Sequence, residues 1–143
     1  MGRRMASVTP AVSGDPVAIP VPTTPKRHRV RGYNQARVLA DVVSRELNIT
    51  LLDGLFRAGG RTQVKAGPRE RHRNVEGVFQ VVSSARSRFR GREVILIDDV
   101  LTTGATAVSA AVALGENGAS SVHLLTFARA LPFRSGEGRT PEV

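Results

Sequence analysis

The stretch Val94-Ile95-Leu96-Ile97-Asp98-Asp99-Val100-Leu101-Thr102-Thr103-Gly104-Ala105-Thr106 decides how this chain is read. It opens on apolar β-formers without alternation, the pattern of a parallel strand covered by helices on both faces. Two adjacent carboxylates follow, then two apolar residues, then a turn of small hydroxyl residues and glycine. Such a turn, leading into a helix, offers hydroxyls and unsatisfied backbone N–H groups where the helix carries its partial positive charge. That is a cradle for a phosphate. Asp98 and Asp99, at the carboxyl end of the strand, can accept hydrogen bonds from sugar hydroxyls or help to hold a hydrated Mg²⁺. Like charges repel at close range, so two neighbouring carboxylates at a strand end are costly unless a ligand uses them.

Outward from this stretch, strand and helix patterns alternate, which predicts an α/β domain with a mainly parallel sheet. Ligands of such sheets bind beyond the carboxyl ends of the strands. Residues 17–21 read as a strand interrupted by Pro20 and Pro22. Residues 23–32 read as a basic loop. Asn34 is an N-cap for a helix over 35–47, with Val38, Leu39, Val42, Val43 and Leu47 on its apolar face. Residues 49–56 read as a short strand that Asp53-Gly54 interrupts. Residues 57–74 form a basic loop long enough to act as a lid. Strands are expected over 75–82, 93–97 and 121–127, a basic connector over 83–91, and a helix over 105–117 with Gly118 just past its end. Residues 1–15 read as a flexible lead-in, 16–131 as the domain, and 132–143 as a tail of disordered composition.

The chain has 143 residues, enough for one domain with a sizeable core. Its 21 basic and 12 acidic residues give a net charge of +9. The positive charge is clustered: Lys26, Arg27, Arg29, Arg31 and Arg37; Arg57, Arg61, Lys65, Arg69, Arg71 and Arg73; Arg86, Arg88, Arg90 and Arg92. Such clusters suit a polyanionic small molecule, a nucleic acid, or solvent alone. Aromatic residues make up only 4%, which argues against a broad base-stacking platform. With no cysteine, disulfides and thiolate metal sites are excluded, and the three dispersed histidines lack zinc-ligand spacing. No apolar run reaches membrane-spanning length and no signal-peptide core is present, so a cytoplasmic location without a membrane partner is expected.

The 94–106 pattern resembles the signature with which type I phosphoribosyltransferases bind PRPP, 5-phosphoribosyl 1-pyrophosphate. Two further blocks resemble the ComF family of competence-associated proteins. One is Arg31-Gly32-Tyr33-Asn34-Gln35-Ala36, which follows a strand and a basic turn and opens a helix. The other is Arg61-Thr62-Gln63 followed by Arg69, Arg71, Arg73-Asn74 and Phe79. Together the three blocks extend the resemblance over about residues 17–129. It implies a type I phosphoribosyltransferase-like, Rossmann-like α/β fold, a mainly parallel sheet flanked by helices.

The resemblance also implies roles. Thr23, Thr24, Lys26 and Arg27 fall in the loop that binds pyrophosphate. Residues 61–74 match the loop that closes over the reaction centre, bringing Arg69 and Arg71 to catalysis, with Gln63, Arg73 and Asn74 as family-motif positions. Asp98 and Asp99 match the acidic pair that contacts the ribose hydroxyls, with Mg²⁺ held through PRPP and by this pair. Thr102, Thr103, Gly104, Ala105 and Thr106 match the 5′-phosphate loop. Arg31, Gly32, Tyr33, Asn34 and Gln35 match the family motif, for which anchoring the pyrophosphate loop is the expected role. ComF proteins commonly carry an N-terminal four-cysteine zinc ribbon and a helix before the first core strand. This sequence shows neither, so a shortened domain without zinc is expected, with an open sheet edge or an unfilled core face covered by homodimerisation. The activity implied is Mg²⁺-dependent transfer of phosphoribosyl to a nitrogen acceptor with release of pyrophosphate, in nucleotide metabolism. The alternative is a non-catalytic competence module that binds single-stranded DNA or protein partners, with PRPP as effector.

Overall fold

A computed structural model describes residues 1–9, 11–58 and 78–130. The elements in chain order are α1 (Gly2–Ala6), β1 (Val17–Pro20), α2 (Pro25–Arg31), α3 (Gln35–Leu47), β2 (Thr50–Leu51), β3 (Leu55–Arg57), β4 (Phe79–Val81), α4 (Ser83–Phe89), β5 (Glu93–Leu101), α5 (Ala105–Glu116) and β6 (Ser121–Arg129). Strands β2-β1-β5-β6, in that order, form one parallel sheet. β3 and β4 form a separate antiparallel pair.

The unbroken apolar run has a direct cause. Successive side chains on a strand point to opposite faces, so a strand covered on both sides needs apolar residues at every position. Val94 and Leu96 join Val17 and Ile19 on one face, packed with Phe89 of α4, Ala110 and Leu114 of α5, and Leu55 and Phe79 of β3 and β4. Ile95 and Ile97 join Ala18 on the other, against Leu39, Ala40 and Val43 of α3 and Met5 of α1. Each large apolar side chain fully buried this way stabilises by roughly 1.5–3 kcal/mol.

Strand register positions the site. β1 ends where Pro20 pairs with Ile97, and the Val21 N–H still donates to the Ile97 carbonyl at 2.8 Å. β5 and β6 stay paired as far as Leu101 and Arg129. The last part of β5, Asp98 to Leu101, therefore has no β1 beside it and borders a notch at the carboxyl edge of the sheet.

Several expectations need correction. The expected basic loop over 23–32 is largely helix. Thr24 caps α2 by accepting from the Arg27 N–H at 3.2 Å, Pro25 occupies its first turn, and Gly32 ends it at φ 78°. No α2 residue is buried, so no apolar stripe announced it. The connector over 83–91 is likewise a helix, α4, held by two buried residues one turn apart, Ala85 and Phe89. The apolar segment over 49–56 divides between two sheets, β2 and β3. Of the strand expected over 75–82, residues 75–77 lie outside the described residues, and the described part is β4, Phe79–Val81, which pairs antiparallel. β5 and β6 both outrun the ends expected from apolar character alone. The lead-in expected to be flexible contains α1, whose Met5 is 2% exposed and buried with Leu39 and Val43. One turn of helix with one anchoring side chain leaves too little periodicity to read. Gln63, Arg69, Arg71, Arg73 and Asn74 lie outside the described residues, as does the expected tail. Among the described residues no helix is long and apolar enough to cross a membrane.

Met5→Ala should lower the unfolding free energy by about 2 kcal/mol or more, the cost of a large-to-small change in a packed core. Urea denaturation monitored by circular dichroism would show the midpoint fall. An unchanged midpoint would mean that α1 does not dock.

Candidate active site

Three separated segments meet at the notch. The first is the chain that leaves β1. Asn34 ties it down: its Nδ2 donates to the Val21 carbonyl at 3.0 Å, while its Oδ1 caps α3 by accepting from the Ala36 N–H at 3.1 Å. One side chain thus joins the start of α3 to the loop after β1. Gly32, in the left-handed region that a side chain disfavours, turns the chain from α2 towards that cap.

The second segment is the acidic pair. Strand alternation sends Asp98 to the Leu96 face and Asp99 to the Ile97 face. Each carboxylate accepts from the next backbone N–H at 2.9 Å, Asp98 Oδ1 from Asp99 and Asp99 Oδ1 from Val100. Asp99 Oδ2 lies 3.6 Å from Arg31 Nη1. Asp98 has no such ion pair among the described residues. Burial pushes its carboxyl up to about 6, repulsion from Asp99 adds to this, and the Asp99 N–H and Arg27 oppose it.

The third segment is the turn into α5. Gly104 occupies the N-cap at φ 82°, and no side chain caps the helix start. Thr103 Oγ1 instead accepts from the Ala105 N–H at 3.4 Å. Thr103 thus takes the first amide of the helix, and the Gly104 N-cap offers no side chain to the amides that follow.

These segments enclose a cavity of about 220 Å³. Of the residues expected at the site, Thr23, Thr24, Arg27, Arg31, Tyr33, Asn34, Gln35, Asp98, Asp99, Thr102, Gly104 and Thr106 line it. Thr103 and Ala105 do not line it; they shape the turn. Lys26 also falls outside, in a second cleft with Val30, because adjacent residues on a helix point about 100° apart. Tyr33 is 49% exposed at the cavity wall, so it is not a core residue.

Sequence reasoning missed Arg57. It ends β3 and lines the cavity, its Nε donates to the Pro22 carbonyl at 3.0 Å, and its guanidinium sits 4.6 Å from the Phe79 ring centroid. Burial lowers its pKa from the usual arginine value, and Asp98 opposes that shift. The available signal was alternation: Leu55 is buried and Phe56 exposed, so Arg57 returns a cation to the inward-facing side of the strand.

Residues 34–139 match the family described as the phosphoribosyl transferase domain. The chain belongs to that family. It is 34% identical over 114 residues to competence protein F of Haemophilus influenzae, covering 78% of this chain and 49% of that protein. It is 36% identical over 114 residues to competence protein ComFC of Bacillus subtilis, covering 79% of this chain and 44% of that one. The chain therefore spans about half the length of the curated relatives it matches, and the ComF resemblance drawn from the three sequence blocks holds. Among solved structures, the allosteric regulatory enzyme of purine biosynthesis superposes with a TM-score of 0.60 at 24% identity, over 87% of this chain and 24% of that one. The shared fold is the parallel sheet flanked by helices that the 94–106 stretch predicts.

The buried carboxyl of Asp98 makes a signed prediction. Folded Asp98 holds its proton to about pH 6, while the unfolded chain releases it near 3.8. Between those values the folded state binds more protons, so this group's contribution to stability falls as pH rises, and the full penalty applies above pH 6. Asp98→Asn removes the charge but keeps an oxygen for the Asp99 N–H. Its melting temperature should exceed the parent's at pH 7.5, with the gap closing towards pH 4. A gap independent of pH would contradict the assignment.

Proposed function

We propose that this domain binds PRPP with Mg²⁺ and transfers the phosphoribosyl group to a nitrogen acceptor, releasing pyrophosphate. One observation carries the reading: the loop after β1, the acidic pair and the uncapped start of α5 open into a single cavity. Each supplies what one part of PRPP requires. The amides and hydroxyls of Thr102 to Thr106 suit a terminal phosphate. Asp98 and Asp99 suit the ribose hydroxyls as acceptors. Thr23, Thr24 and Arg27 flank the place of the pyrophosphate.

In this reading the acceptor nitrogen attacks the anomeric carbon as the bond to the pyrophosphate oxygen breaks, and the bonding electrons leave with pyrophosphate. The protein supplies no covalent nucleophile. It holds the two ends of PRPP in fixed relation, places cations where negative charge develops, and keeps water from the carbon. Arg69 and Arg71 would add positive charge from the 61–74 loop, by the family resemblance.

The donor set fits a cation that arrives with its substrate. Among the described residues, no group of three or more His, Cys, Asp or Glu side chains could hold a metal alone. Mg²⁺ typically takes one or two carboxylates together with substrate phosphates, and Asp98 and Asp99 offer two at the cavity wall. When bound, the ion would neutralise charge on the leaving pyrophosphate.

Isothermal titration calorimetry of PRPP with Mg²⁺ tests the site. Binding should be measurable for the parent chain and abolished in Asp99→Asn, while the circular dichroism spectrum is unchanged. Unchanged affinity in that variant would sink the assignment of the acidic pair. Pyrophosphate release on adding nitrogen bases then tests turnover.

A further inference from the structure

Arg57 is costly where it stands. A half-buried guanidinium loses hydration, and such charges are ordinarily paired. Among the described residues, however, its terminal nitrogens take no hydrogen-bond or ion-pair partner; the one bond it makes is from Nε to the Pro22 carbonyl. The Phe79 ring supports one face of the planar group. The Pro22 carbonyl fixes the group's rotation in its plane. Both restraints orient a cation beside the loop after β1, on the wall of the cavity, with the nearby cation Arg27 adding positive charge and Asp98 opposing it.

An arginine held at Nε keeps its terminal donors for a planar, two-point contact with phosphate oxygens. We propose that Arg57 is a binding residue for the diphosphate end of the ligand, and that it carries the site's selectivity for a diphosphate ester over a sugar monophosphate. The proposal rests on the PRPP reading of the cavity and extends it to a residue outside the three sequence blocks. Arg57 also acts on the loop itself. By holding Pro22 it sets the position of the segment whose Thr23 and Thr24 lie on the same cavity wall.

The test is calorimetric titration of PRPP, inorganic diphosphate and ribose 5-phosphate, each with Mg²⁺, into the parent chain, Arg57→Met and Arg57→Lys, with thermal melts alongside. Methionine keeps an apolar contact with Phe79 and removes the charge. The expected result is that Arg57→Met weakens PRPP and diphosphate by roughly 10- to 100-fold, the range for a lost hydrogen bond between charged groups. Ribose 5-phosphate should change little. Arg57→Lys should fall between the two, restoring charge without the fork. Should the methionine variant fail to fold, the lysine variant carries the test, since loss of diphosphate selectivity in a folded protein supports the proposal. Equal weakening of all three ligands, or none, overturns it and leaves Arg57 a structural tether. If the parent chain binds none of the three, the PRPP reading falls, and this inference with it.

Discussion

Pro20 and Pro22 flank the point where β1 stops opposite Ile97, whereas β5 and β6 remain paired to Leu101 and Arg129. This mismatch of strand lengths is the constraint on which the site depends. A strand with neighbours on both sides presents its polar groups to the ladder. Beyond Ile97, β5 has β6 on one side and open space on the other, and the two carboxylates lie in that stretch. Below the notch, β1 and β5 are covered on both faces, by α1 and α3 on one and by α4, α5 and the β3–β4 pair on the other. β5 is buried from Val94 to Ile97, and one residue later it loses its β1 neighbour while keeping β6.

Electrostatics at the notch follow from strand geometry. Because neighbouring side chains diverge, Asp98 and Asp99 do not share one partner. Asp99 faces Arg31 at 3.6 Å, and Asp98 remains partly buried with Arg27 and Arg57 nearby. The folded protein thus carries a carboxyl whose ionised form is disfavoured until hydroxyls or a cation compensate it. Such strain is characteristic of a functional site rather than of a core optimised for stability. The cations come from two different elements, Arg27 and Arg31 from α2 and Arg57 from β3, so the cavity's charge is a product of assembly rather than of any one motif.

Membership of the phosphoribosyl transferase domain family and likeness to competence proteins F and ComFC agree with this architecture. The part matched is about half the length of each of these relatives. Within that part, the loop after β1, the acidic pair and the α5 turn form a unit, and Asn34 joins its first segment to α3 through two hydrogen bonds.

The sequence by itself determined the class of fold, the central strand, the bounds of α3 and most of the cavity wall. Those signals are local: an unbroken apolar run, an N-cap before an amphipathic face, and a hydroxyl-glycine turn each arise from neighbouring residues. Tertiary structure decided what depends on distant partners. α1 and α4 exist because Met5, Ala85 and Phe89 find space in the two cores. α2 is a helix through its Thr24 cap and Pro25 although none of its residues is buried, and that helical turn moves Lys26 off the cavity wall. Arg57 joins the site only because β3 brings it beside Pro22, a residue 35 positions earlier in the chain. Spacing along a sequence records which side chains share an element; only packing records which elements meet.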